Sequence, residues 1–169
     1  MTFKMLSTGS TQIGNVEFQW GVRTYVMGVL NTTPDSFSGD GVGNDIDLTV
    51  RKALQFQHDG ADIIDVGGES TRPPSIYKGA GPVTTKEEIS RVVPAVKALA
   101  KVLDIPISVD TYKAVVARLA IAAGASMVND QWALNRDPEM TQVIVESNVP
   151  VVLMHNQEGV TYDNLIKDV

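Results

Sequence analysis

An α/β fold of the (β/α)8 TIM-barrel type, incomplete at about five βα units and preceded by an N-terminal β-hairpin, is what this sequence predicts. Three observations carry the reading. Short runs rich in Val and Ile alternate with amphipathic helical patterns, which calls for right-handed crossovers and a parallel sheet. Asn31, Asp65, Asp110 and Asn129 all fall at the C-terminal ends of apolar runs, where such a barrel gathers its site. No Gly-x-Gly-x-x-Gly opens a helix after the first run, which disfavours the dinucleotide-binding open sheet.

The elements follow in order. Residues 12 to 23, "QIGNVEFQWGVR", alternate around Gly14-Asn15 and Gly21 and predict a small hairpin, so residues 1–23 form one segment and 24–169 the partial barrel. Buried parallel strands are predicted at Tyr25–Leu30, Asp62–Val66, Ile105–Val109, Ser126–Asn129 and Val149–Met154. A helix over 47–59 has Asp45 or Asp47 as N-cap, Gly60 as its stop, and Val50, Ala53, Leu54 and Gln57 on one side. The helix over 84–103 opens on two overlapping capping boxes, Thr84 with Glu87 and Thr85 with Glu88, and repeats Ile89, Val93, Val96, Leu99 and Leu103. Pro94 inside it predicts a kink or a break. Residues 112–123 carry Val115, Val116, Leu119 and Ala123 before Gly124; residues 137–147 start at Asp137-Pro138, an N-cap followed by an N1 proline. The segments "GADIIDV" and "GASMVND" nearly repeat, each passing from a helix-stop Gly to a polar residue five positions later.

Composition narrows the partners. The chain has 169 residues, 43% of them apolar, enough for one ordinary domain with a substantial core. Its longest apolar runs are far short of the roughly 20 residues of a membrane helix, and no signal pattern opens it, so a cytoplasmic protein without a membrane partner is expected. With no Cys there is no disulfide, thiolate nucleophile or cysteine metal site. A formal charge of −6 without a Lys/Arg cluster argues against nucleic acid and for a small-molecule partner.

The motifs "MGVLNTTPDSFS", "GADIIDVGGESTRP", "ISVDT", "VND" and "LMHN" stand in this order and at spacings that resemble dihydropteroate synthases, over essentially all of residues 22–169. That resemblance implies the joining of a pterin methyl diphosphate to 4-aminobenzoate in folate synthesis, with diphosphate released. It implies Asn31 as a ligand of Mg²⁺ shared with the diphosphate. Asp35, Ser36 and Phe37 lie in a first loop that closes over the reacting centre and approaches the aminobenzoate. Thr71 and Arg72 lie in a second loop holding diphosphate and substrate. Asp110 and Asn129 bind the pterin, and Met154 packs beside it; Asp35 and Arg72 carry the catalytic role.

The residue types suit that chemistry. A departing diphosphate needs its charge neutralised, and a heterocycle edge of N–H donors suits a buried Asp and Asn. Two local departures from the family pattern stand out: "SFSGDGVG", where Asp more often follows the second Ser directly, and "RPPS", where Gly commonly follows the first Pro. The family site also takes residues from the last three strands, beyond the five units counted here. A truncated part that is inactive alone, homodimeric when complete, is therefore expected.

Plainer roles compete with these. Asn-x-x-Pro-Asp is ordinary turn chemistry, Asp65 reads as structural, and Asp110 can cap the next helix. Arg72 can merely meet Glu69. His155 reads as a hydrogen-bonded scaffold residue, His58 as a helix-end histidine, and Trp20 and Trp132 as packing. Two rival functions stay open: a pterin-binding barrel serving methyl transfer from methyltetrahydrofolate to a corrinoid protein, which has no diphosphate to hold, and a non-catalytic module.

Overall fold

The computed structural model describes residues 9–33, 45–69, 83–157, 159 and 161–168. A hairpin of β1 (Ser10–Ile13) and β2 (Val16–Gln19) comes first, its turn Gly14-Asn15 entered with Gly14 at φ 57°, the positive value a two-residue hairpin asks of its first turn residue. Five parallel strands follow: β3 (Met27–Asn31), β4 (Ile63–Gly67), β5 (Ile107–Asp110), β6 (Met127–Asp130) and β7 (Val151–Leu153), hydrogen-bonded in that order. Helices α1 (Ile46–His58), α2 (Thr85–Leu99), α3 (Ala114–Ala123) and α4 (Met140–Ser147) make the crossovers, and a short α5 (Leu165–Asp168) comes last.

Period-two alternation divides the sheet into two faces. Leu30, Ile64, Val66, Ile107, Val109 and Val128 face the helices and form the main core with Val92, Val96, Leu99, Val116 and Val143. Their neighbours on the strands make the inner face. At its N-terminal end Ile63 and Met127, with Met27, pack on Ile13, Phe18 and Tyr25, so the hairpin plugs that mouth. Gly14 belongs to the plug: a Cβ there would stand 3.1 Å from Ser126 Oγ. The opposite mouth lies at the strands' C-terminal ends. Val29 and Val152, on the inner faces of the outermost strands β3 and β7, are 52% and 42% exposed.

The predicted strands all form; β3 to β6 are displaced toward their C-terminal ends, and β7 is shortened at both. Pro106 and Pro150 cannot donate to a ladder, so β5 and β7 begin one residue later. Their carbonyls still accept from Ile64 N at 3.1 Å and Val128 N at 3.1 Å. Asp45, not Asp47, caps α1 through Leu48 N at 2.8 Å, and His58 closes its last turn.

The second long helix departs from its prediction in three ways. Pro94 does not split it, because Pro94 and Ser90, whose carbonyl loses its partner, lie on the exposed side. Thr84 is the N-cap, accepting from Glu87 N at 3.2 Å, but Glu88 is no capping-box residue. The core stripe runs Glu88, Val92, Ala95, Val96, Leu99, which leaves Val93 outside it and carries a carboxylate inward.

Nor does the fourth helix start at Asp137-Pro138. It begins at Met140, because Asp137 accepts from Ala114 N at 2.8 Å and from Glu139 N at 3.0 Å, closing a turn and capping α3 instead. Among the described residues Asp110 accepts from Gln131 and caps no helix.

Candidate pterin site at the strand ends

One register layer crosses the whole sheet at its C-terminal mouth: Asn31, Gly67, Asp110, Asn129 and Val152 lie side by side on β3, β4, β5, β6 and β7. All belong to the inner face. Gly67 forms the floor, since a Cβ there would stand 3.5 Å from Asp110 Oδ2 and 3.8 Å from Asn31 Oδ1. The strands before and after it thus aim an amide oxygen and a carboxyl at one point. Below this layer sit Val29, Asp65 and Ser108.

The electrostatics follow from burial. Asp65 is 3% exposed; Asn129 Nδ2 donates to its Oδ2 at 3.0 Å, while Oδ1 has no hydrogen-bond partner among the described residues. Burial pushes its carboxyl above the usual range, and the Ser108 hydroxyl and Asn129 amide oppose that rise. Ser108 Oγ faces Asp65 without completing a hydrogen bond of full geometry among the described residues. Asp110 is pushed up to about 8, first by burial, then by the nearby charge of Asp65 and more weakly by Glu88 and Asp130. A hydrogen bond from Gln131 Nε2 at 2.5 Å pulls it back. Two carboxyls deprived of water and set close together are poised to accept from a ligand's N–H groups. With its Nδ2 turned to Asp65, Asn129 offers a carbonyl oxygen to the same ligand.

The loop after β6 is built to present Gln131. Asp130, fully buried, accepts from Trp132 N at 2.8 Å and Leu134 N at 3.0 Å. This holds Ala133 at φ 50° and Leu134 at φ 65°, left-handed values that cost a non-glycine residue roughly 1–2 kcal/mol each. Trp132 is a packing residue: the Arg136 guanidinium lies 4.1 Å from its ring centre. Trp20 packs too, 6.0 Å from Phe18 and 5.6 Å from Tyr25 between ring centres.

Beside the hollow a second polar cluster joins β4, α2 and the turn after β5. Lys113 Nζ donates to Glu69 Oε2, to Glu88 Oε2 at 2.5 Å and to the Val83 carbonyl at 2.9 Å. Glu88, 1% exposed, also accepts from Thr111 Oγ1 at 2.6 Å, and Glu69 accepts from the Tyr112 hydroxyl at 3.0 Å. Burial alone would lower the Lys113 ammonium, but its two carboxylate partners outweigh it and hold the group above its ordinary value. Burial raises the Tyr112 hydroxyl, and its bond to Glu69 adds to that.

Of the nine residues singled out in the sequence, Asn31, Asp110 and Asn129 come together at the hollow. Met154 follows β7, donating its amide to the Asp130 carbonyl at 3.1 Å; continued alternation sets it on the face of Val152, where it is 42% exposed. Asp35, Ser36, Phe37, Thr71 and Arg72 lie outside the described residues. Glu69 meets Lys113 and Tyr112. Asp65 ties β4 to β6 by accepting from Asn129, and its charge also raises Asp110. His155 has its ring 5.7 Å from Tyr162, and its Nε2 is buried with no partner among the described residues.

The residues that sequence reasoning missed are Gln131, Lys113, Glu88 and Asp130. Glu88 left one legible trace, a carboxylate four residues before Val92 on an apolar stripe. The described residues include no group of three or more His, Cys, Asp or Glu able to hold a metal, and no helix long and apolar enough to cross a membrane.

Comparison with known proteins bears on this arrangement. The pterin binding enzyme family matches residues 27–169. This chain belongs to the pterin-binding enzyme family. A curated dihydropteroate synthase of Clostridium beijerinckii is 52% identical to this pterin-binding family member over 158 residues, covering 94% of the chain and 57% of that protein. The crystal structure of a Clostridium difficile dihydropteroate synthase in the presence of pteroic acid superposes with a TM-score of 0.77 at 50% identity, over 87% of this chain and 54% of that one. A Xanthomonas albilineans dihydropteroate synthase with 4-aminobenzoic acid gives a TM-score of 0.75 at 42% identity, over 87% and 52%. The chain therefore spans about half the length of these relatives, and its hairpin and five-stranded parallel sheet are part of their TIM-barrel-type fold.

Proposed function

We propose that this family member, in a protein of its relatives' full length, acts as a dihydropteroate synthase. Such an enzyme condenses 6-hydroxymethyl-7,8-dihydropterin diphosphate with 4-aminobenzoate and releases diphosphate. The observation that carries the reading is the convergence of Asn31, Asp110 and Asn129 over Gly67 at the C-terminal mouth. The relatives' names and bound molecules agree with it.

The aminopyrimidinone edge of a pterin presents adjacent N–H donors, and Asp110 and Asn129 supply adjacent acceptors. In the ligand-free hollow burial keeps Asp110 largely protonated near neutral pH. Donors laid against it favour the ionised form, giving a charge-assisted, bidentate grip. Asn31 Oδ1 is a neutral hard oxygen aimed into the same space, a fit for Mg²⁺, which keeps few protein ligands and takes the rest from phosphate and water. When bound, the ion supplies neutralisation of leaving-group charge.

The reaction then needs no protein nucleophile. The aniline nitrogen bonds to the pterin methylene, the carbon–oxygen bond to diphosphate breaks, and the nitrogen loses a proton. Arg72 supports the departing charge, and the loop with Asp35, Ser36 and Phe37 excludes water. The test is diphosphate release by the relatives'-length protein: it must depend on both substrates, and Arg72→Ala must weaken the diphosphate-bearing pterin more than pterin lacking it. Release without 4-aminobenzoate, or equal losses for the two pterins, refutes the reading.

A further inference from the structure

We infer that Lys113 is a positioning residue that joins Glu69 to Val83, holding together the two ends from which segment 70–82 starts and finishes. Glu69 precedes that segment in the chain and Val83 follows it, and both meet one ammonium. All three of its N–H donors are used, on Glu69 Oε2, the Val83 carbonyl and Glu88 Oε2. The flanks are also bonded to each other, Val83 N donating to Glu69 Oε2 at 3.4 Å.

The cluster is anchored rather than loosely placed. Lys113 and Glu69 side chains are 13% and 10% exposed and Glu88 1%, so these charges have exchanged water for one another. Glu88 stands on α2 and is tied to Thr111, the residue after Asp110. Lys113 is three residues from Asp110 on the same turn. Hence the pterin-facing carboxyl and the root of segment 70–82 share one support.

Arg72 follows Glu69 by three residues in the sequence. What Arg72 does there rests on the dihydropteroate synthase reading; the joining of the flanks does not.

The joining is tested on this chain by limited trypsin digestion, following the Lys78–Gly79 bond and, as an internal control, the bonds after Arg51 and Lys52 in α1. Lys113→Met removes charge-assisted bonds from a local opening equilibrium that proteolysis samples, so Lys78–Gly79 cleavage should accelerate at least about tenfold while the α1 sites stay within about twofold. Unchanged cleavage at Lys78, or the same acceleration at α1, overturns the inference. If Lys113→Met does not fold, Glu69→Gln replaces it, with roughly threefold acceleration confined to Lys78 expected and no acceleration overturning.

The positioning role is read in the relatives'-length protein. There Lys113→Met should raise the Kd of the diphosphate-bearing pterin about tenfold and that of pterin lacking diphosphate less than about twofold. Equal losses overturn the positioning role. Absence of pterin binding by the unsubstituted protein overturns the functional reading alone, leaving the digestion result to decide the joining of the flanks.

Discussion

Asn31 Oδ1 on β3 and Asp110 Oδ2 on β5 converge over Gly67, the residue between them on β4, within 3.8 and 3.5 Å of the place where its Cβ would be. A neutral oxygen and a titratable carboxyl thus share a hollow whose floor is kept low by a missing side chain. Register in a parallel sheet makes such an alignment persistent, since a slip of one residue would turn all of these groups toward the helices.

Gly67 and Gly68 should separate binding from stability. A methyl on Gly67 makes only ordinary contacts, so Gly67→Ala should stay within about 1 kcal/mol of the parent in denaturant unfolding, yet fill the hollow and weaken pterin binding about tenfold or more. A methyl on Gly68 would stand 2.6 Å from Val92 Cγ2 and 3.0 Å from Glu88 Cγ, so Gly68→Ala should cost about 1–3 kcal/mol. Unfolding midpoints and ligand titration of the two variants check both statements.

Stability should fall as pH rises. The folded pKa of Asp110 lies at about 8, above an unfolded value of roughly 3.9, so its neutral form stabilises the fold fully below the lower value and that contribution is lost toward the upper. Between the two the folded chain holds a proton that the unfolded chain lacks, giving a slope of up to about 1.4 kcal/mol per pH unit. Asp65, also raised, acts in the same direction. Asp62, lowered first by its hydrogen bond from Arg23, acts below this window. Urea unfolding at pH 5 and pH 7.5 should show the drop, and Asp110→Asn should flatten it.

Asp130 should prove a large contributor for one side chain. Asp130→Ala removes two hydrogen bonds to backbone amides and releases the left-handed pair Ala133 and Leu134, for a loss of about 2–4 kcal/mol in unfolding free energy. Asp130→Asn, which keeps one acceptor, should lose about half as much. A loss under about 0.5 kcal/mol for the alanine variant would show that the turn holds itself.

The sheet was legible because a parallel strand buried on both sides is a Val/Ile run wherever it occurs, and glycine or proline marked its borders. The strand-end polar residues could be found for the same reason: an Asn or Asp closing such a run has few places to be except the mouth. Phase on the helices was harder. Ile89, Val93, Val96 and Glu88, Val92, Ala95 differ by one residue, and only the buried Glu88 decides between them, through partners 23 and 25 residues away. Long-range polar pairs leave no local pattern, so Lys113 carried no signal and Asp137 looked like the cap of its own helix. Gln131 was hidden because its role is to meet Asp110 across 21 residues of chain.

The most direct test of the central claim is calorimetric titration of the relatives'-length protein with dihydropterin, parent against Asp110→Ala. The substitution leaves the ligand's donor edge without its acceptor, so affinity should fall by more than about 1 kcal/mol, roughly fivefold or more. A dissociation constant unchanged by Asp110→Ala would contradict the placement of the pterin at this mouth.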